Sequence, residues 1–286
     1  MRRGRFVVGR SPLQPKVAPV NIEAPPLRIM PQPRMRGAWR LVERNILAYR
    51  RQWYVFASGI LEPILFLLSI GIGVGKLVGD LQVGGQVVSY REFVASGLIA
   101  VSAMNGAVID TTFNFFVKYK YAHTYDAILA TPRSASDVAR GEVTWALMRG
   151  AIYSAAFLLT ILAFGAVRSW WAILAVPAAV LIAYGFAGAG LGGSTFMRSF
   201  VDFDYVNMIL IPMFLFSATF FPLSRYPAGL QTVIRFTPLY QGVAMERALL
   251  LGDVGWATLG HAIYLLVMGY IGVRVASRRI GKLLQP

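Results

Sequence analysis

The run AILAVPAAVLIAYGFAGAGLGG, residues 172–193, decides the fold class. It sits inside a stretch, 170–196, that holds no charged side chain, and about 20 such residues in a helix cross the ~30 Å of bilayer hydrocarbon. Working outward, comparable apolar stretches recur at about 54–75, 93–117, 142–166, 205–221 and 256–274. Composition agrees: 56% of the 286 residues are hydrophobic and 14% charged, with mean hydropathy +0.57, whereas soluble domains carry about 25% charged residues. A soluble protein is excluded. The reading is an all-α integral membrane protein with six transmembrane helices.

The flanks of these spans divide the chain. Residues 1–37 hold seven of the fifteen prolines among many arginines, too little apolar surface to fold, so this is a disordered basic cytoplasmic tail. It is no secretory signal, because prolines and not an apolar run follow Arg2, Arg3 and Arg5. Within 38–53 the residues Trp39, Val42, Ile46, Tyr49 and Trp53 recur at helical spacing between arginines, the pattern of an amphipathic interfacial helix. Residues 54–286 form the six-span membrane domain. Between spans 5 and 6, Pro222–Asp253 is broken by Pro222, Pro227 and Pro238, which suits a re-entrant external helical segment.

Charge placement orients the spans. Lys and Arg number 28 against 13 Asp and Glu, a formal charge of +15. Of the 28, 21 fall on the side of the termini, six on the other and one, Arg149, inside a span. The excess therefore marks the cytoplasmic face, not nucleic-acid binding, and both termini are cytoplasmic. With no cysteine there is no disulfide, thiolate metal site or thiol nucleophile. Only two histidines exist, His123 and His261, so neither a metal site nor catalysis at a His123–Asp126 dyad is expected.

Two glycine patterns imitate phosphate sites. Gly188, Gly190 and Gly193 fit G-x-G-x-x-G, but inside an apolar span and not between a strand and a helix. Gly185, Ala189 and Gly193, with Gly188 and Gly192, instead fit small-xxx-small helix packing. The run Gly71 to Leu77 lacks the first glycine and the hydroxyl of a phosphate loop. Any coupled nucleotide hydrolysis must belong to another chain.

Three ionisable residues lie within the spans: Glu62, Asp110 and Arg149. Such residues mark function or paired packing. Asp110 and Arg149 share a depth, each about seven residues from the same end of its span, so they are expected to pair. Glu62 precedes Pro63, which frees a carbonyl and favours a kink or gate.

Two motifs on this background, YKYAHTYDAILATPRSASDVARGE (119–142) and FLFSATFFPLSRYPAGLQTVIRFTPLYQGVAMERALLLG (214–252), resemble permease subunits of ABC-2-type exporters. The similarity is nearest to the branch of nodulation-factor (lipo-oligosaccharide) and daunorubicin-resistance exporters, and runs from about Trp39 to Leu283. It implies a permease in the bacterial cytoplasmic membrane that exports an amphipathic or lipid-linked substrate. It also implies assembly with a second permease chain and two ATP-binding-cassette ATPase subunits, which bind ATP and Mg; this chain itself has no cofactor and is not an enzyme. The family's coupling helix maps onto Thr124, Tyr125, Asp126, Ala127, Ile128, Leu129 and Ala130, ended by Thr131-Pro132. Its external gate maps onto Phe220, Phe221, Pro222, Pro227 and Pro238, with Phe220, Phe221, Leu230, Ile234 and Phe236 expected to pack against the spans. Phe66, Phe113, Phe116 and Phe214 are aromatic contributors to the substrate path at the permease interface. The rivals are a proton-coupled secondary transporter with Glu62 and Asp110 as relay acids, and a membrane-embedded transferase. For the latter no cluster of polar catalytic groups faces one leaflet.

Overall fold

Residues 34–49, 53–130 and 134–284 are described by a computed structural model. Most of the tail lies outside this set, as do Arg50, Arg51 and the Thr131-Pro132 stop. Ten helices, one hairpin and short 3₁₀ turns make up the described residues, with five helices long and apolar enough to cross a membrane.

Helix α1, Arg34–Tyr49, starts inside the segment assigned to the tail. It packs on the bundle through Leu41, Val42 and the buried Asn45, while Trp39, Ile46 and Leu47 are exposed. The expected single apolar face is thus split: at 100° per residue one sector meets the protein and a neighbouring apolar sector does not. Helix α2 runs over 53–78, changing to π hydrogen bonding at Leu67–Val74, four residues beyond Pro63. A two-stranded hairpin interrupts the all-helical expectation. Strands β1 (Asp80–Val83) and β2 (Gln86–Ser89) pair antiparallel, with Leu81 opposite Val88, and Gly84 and Gly85 supply the positive φ at the turn.

Helix α3, Tyr90–Lys120, is the axis of the molecule: 89% of its most apolar window is buried, against 18% for α2. It begins with a capping box, in which the Ser89 amide donates to Glu92 Oε2 at 2.9 Å and the Glu92 amide to Ser89 Oγ. A π turn at Asp110–Asn114 interrupts it, and Thr111 and Thr112 return their hydroxyls to the carbonyls of Ala107 and Val108. After the short helix α4, Thr124–Leu129, a second capping box at Ser134 and Asp137 opens α5, Ala135–Ala163. That start lies seven residues before the expected span at 142.

Helix α6, Trp170–Ser194, packs against α3, α5 and the last helix, α10, Trp256–Leu284. Glycine makes the last contact possible. A Cβ at Gly188 would lie 2.4 Å from the Gly269 carbonyl oxygen, and one at Gly272 only 2.2 Å from the Gly188 carbonyl carbon. Gly193, expected on the same stripe, meets nothing within 4 Å. Gly190 faces the π turn of α3, where Thr111 Oγ1 would be 2.5 Å from an added Cβ. The G-x-G-x-x-G triplet is therefore helical throughout, and its first two glycines serve packing.

The expected span 205–221 takes another form. Helix α7, Phe203–Leu215, has only 13 residues, about 20 Å at 1.5 Å per residue, and is not among the five long helices. An irregular segment, 216–222, and a 3₁₀ turn, Leu223–Arg225, lead to α8 (Ala228–Phe236) and α9 (Pro238–Leu251). Thr237 caps α9 and Pro238 occupies its first turn, where no amide donor is needed. Gly252 ends it at φ 87°. The bundle thus has a hairpin end, near Ser89 and Arg168, and a basic end, near Lys118 and Glu142.

Candidate functional site

The three intramembrane charges do not form one cluster. Arg149 on α5 donates through Nη1 to Asp110 Oδ1 on α3, and the two side chains are 5% and 1% exposed. Asn114 donates to the same oxygen at 2.7 Å, and Arg149 Nε donates to Tyr153 at 2.9 Å. The π turn supplies the geometry, because Asp110 is its first residue. An ion pair this deep offsets two desolvation costs only when its remaining valences are met; Asn114 and Tyr153 meet two of them.

Beside the pair a cavity of about 230 Å³ opens between α2, α3 and α5. Its walls are Glu62, Phe66, Ser102, Asn105, Arg149 and Tyr153. Glu62 is exposed and accepts a long 3.5 Å bond from Asn105 Nδ2. Gly59 lets the Tyr153 ring approach α2, since a Cβ there would fall 2.5 Å from it. Glu62 and Arg149 thus face one cavity, while Asp110 stands behind Arg149.

The four candidate path phenylalanines fall into two groups. Phe66 meets Phe214 edge-on at 6.0 Å, and Phe214 meets Phe220 at 5.2 Å. Phe113 and Phe116 join Tyr121, Phe200 and Phe203 at the basic end. Phe116 is fully buried, so it packs and cannot line an open path in this conformation.

At the basic end, α4 is fastened from inside. Tyr125 is fully buried, stacks on Phe115 at 5.2 Å and donates to Glu142 Oε1 at 3.0 Å. Glu142 also receives Lys118 at 2.7 Å, and Lys118 reaches Asn45 of α1 at 3.5 Å. Tyr125 is thus an anchor within the chain and not part of a surface offered to a partner. Ile128 is partly buried against the core, Asp126 and Ala127 are exposed, and Leu129's side chain is outside the described set. His123 pairs with Asp126 at 2.9 Å on the surface. Glu142 and Lys118 were missed in the sequence because at a span boundary they read as topological charges.

In the gate segment, Phe220 and Ile234 are buried, but Phe221 and Phe236 are 52% and 73% exposed. The expectation that all the gate aromatics pack against the spans is corrected accordingly. The prolines start structure, Pro222 before the 3₁₀ turn, Pro227 before α8 and Pro238 at α9. The sequence also hid Glu246 and Arg247. Glu246 is fully buried on α9, with neither carboxyl oxygen hydrogen-bonded among the described residues. Arg247 holds the carbonyls of Phe93 and Ala218. Lying in a stretch too broken to read as a span, neither could be given a depth. At the hairpin end, Arg168 binds Glu92 at 2.8 Å and the Val87 carbonyl at 2.7 Å, tying the hairpin to the helix ends.

The ABC-2 type transporter family matches residues 36–251 of this chain. "Nodulation protein J" of Rhizobium leguminosarum bv. trifolii is 30% identical over 251 residues, covering 85% of this chain and 93% of that protein. "Nodulation protein J" of Bradyrhizobium diazoefficiens is 30% identical over 218 residues, 75% and 80% of the two chains. "Inner membrane transport permease YadH" of Escherichia coli K12 is 24% identical over 234 residues, 79% and 88% of the two.

Proposed function

Because this chain belongs to the ABC-2 type transporter family, a family of multi-pass membrane permeases, we propose that it is the transmembrane subunit of an ATP-driven exporter. It works with a second copy of itself and two ATP-binding-cassette ATPase subunits, which supply the ATP and Mg chemistry. The cargo is an amphipathic or lipid-linked molecule, with lipo-oligosaccharide, glycolipid and hydrophobic drug as the classes to test. The family match over 36–251 carries this reading, and the position of α4 supports it.

Six crossings of the bacterial cytoplasmic membrane, with both termini cytoplasmic, agree with the short α7. Phe203 packs beside Phe113 and Phe116, while Gly97 leaves room for Thr219, 2.9 Å from a Cβ there. The 203–219 segment therefore runs antiparallel to 97–113 over the same sixteen-residue depth, about 24 Å along a helix axis. It crosses as a helix plus an irregular end sheltered by protein. The dip of α9 supports re-entrance, since Gly242 lies against Ile182 in the middle of α6 while the Leu250 carbonyl accepts from the Arg168 amide at the hairpin end. Reporters fused after Arg36 or Lys282 are expected to be cytoplasmic and one at Gly84 external. A cytoplasmic Gly84 would reverse the topology.

Coupling runs through α4. We assign Asp126 and Ala127 to the ATPase contact, Tyr125 to the anchor that carries motion inward, and Ile128 to the hinge between them. Ala127→Arg leaves the core untouched and places an unpaired charge in the contact, a loss of about 3–5 kcal/mol in such interfaces. Coexpressed ATPase should then no longer copurify, while the permease keeps its thermal stability. Undiminished copurification would sink the coupling assignment. The proton-relay alternative is weakened by the Asp110–Arg149 pair, which holds one of its two acids.

A further inference from the structure

A second cleft opens at the hairpin end, away from α4 and from the Asp110–Arg149 pair. It measures about 330 Å³ and lies between the hairpin, the Pro222–Ser224 turn and α9, within the size range of small-molecule sites. Its charged floor is Arg247. Nε donates to Ser96 Oγ at 3.2 Å, Nη2 to the Phe93 and Ala218 carbonyls at 3.3 and 2.9 Å, and the guanidinium lies 3.8 Å over the Phe93 ring. All of these partners are neutral. Among the described residues no carboxylate pairs with Arg247. Nη1 has no protein acceptor there, and it is not one of the polar atoms sealed from solvent. The cleft's carboxylate, Asp253, is drawn aside to the hairpin tip, where its Oδ2 would lie 3.0 Å from a Cβ at Gly84. Gln82, Gln86 and Ser224 add further donors around the opening.

A guanidinium held rigid by neutral partners has no counter-charge; with Nε and Nη2 engaged it presents the N–H donors of Nη1, which suit a phosphate or carboxylate oxygen as charge-assisted donors. We propose that this cleft is a binding subsite for an anionic group, a phosphate or carboxylate of an amphiphile, received by Arg247 Nη1. Binding stands on the surroundings of Arg247 alone; only its placement on the outer face rests on the topology proposed above. The ligand's source is either a lipid headgroup or a free anion.

Titration of the full chain in zwitterionic nanodiscs exposes both faces, so a wrong topology cannot mask a wrong site. Dihexanoyl phosphatidate should bind saturably and neutral dihexanoylglycerol should not. Arg247→Gln should weaken binding tenfold or more, the worth of a hydrogen bond to a charged group. Ala248→Phe, which fills the cleft without touching the guanidinium's bonds, should do the same and decides alone if Arg247→Gln fails to fold. Competition by inorganic phosphate at similar concentration supports a free-anion site, and its failure to compete supports a headgroup site. No saturable binding of phosphatidate or of phosphate, or wild-type affinity in the folded variants, overturns the proposal.

Discussion

Arg149→Gln is expected to cost about 3–5 kcal/mol of folded-state stability, because it strands the Asp110 carboxylate in the interior. Asp110 is 1% exposed, and its Oδ2 already lacks a partner among the described residues. Removing the guanidinium leaves, among the described residues, Asn114 to hold the other oxygen. Asp110→Asn should be damaging in the mirror sense, because it removes the carboxylate that pairs with Arg149. The double change, Asp110→Asn with Arg149→Gln, removes both charges and should recover most of the loss, so the two effects are strongly non-additive. Thermal unfolding of detergent-solubilised protein, with the four genotypes side by side, reads this directly. Additive losses would mean that the pair contributes nothing as a pair. A stable Asp110→Asn protein that no longer transports would assign the carboxylate to the substrate path instead.

Gly272→Val is expected to destabilise the bundle by about 1–3 kcal/mol or more, while Gly193→Val changes stability by less than about 0.5 kcal/mol. The contrast follows from contact and not from sequence spacing. At Gly272 a Cβ meets the Gly188 carbonyl carbon at 2.2 Å, so α6 and α10 must separate along their length. Backbone cannot rotate away as a side chain could. At Gly193 nothing lies within 4 Å of the new atom. Equal tolerance of valine at both sites in a thermal-shift assay would show that α6 and α10 are not closely packed in the membrane.

Composition and the length of apolar runs determined by themselves that this is a helical membrane protein. Each span reads locally, because twenty apolar residues must satisfy their own backbone when they leave water. The two motifs at 119–142 and 214–252 likewise carried the family, which the match over 36–251 shows. The equal depth of Asp110 and Arg149 was also legible, because depth along a helix is a count of residues. What the count could not supply is the phase of each helix about its axis and the approach of segments distant in sequence. Phase turns Tyr125 inward to Glu142, although the resemblance places it on the coupling helix. Phase also leaves Gly193 off the contact that Gly188 makes, whereas depth along the bundle separates Phe66 and Phe214 from Phe113 and Phe116. Long-range approach alone brings Arg247 to Phe93 and Ala218, and lets a 13-residue helix and an irregular end stand beside 97–113 of α3. Such contacts follow from close packing among all the helices at once, a property that no window of the sequence contains.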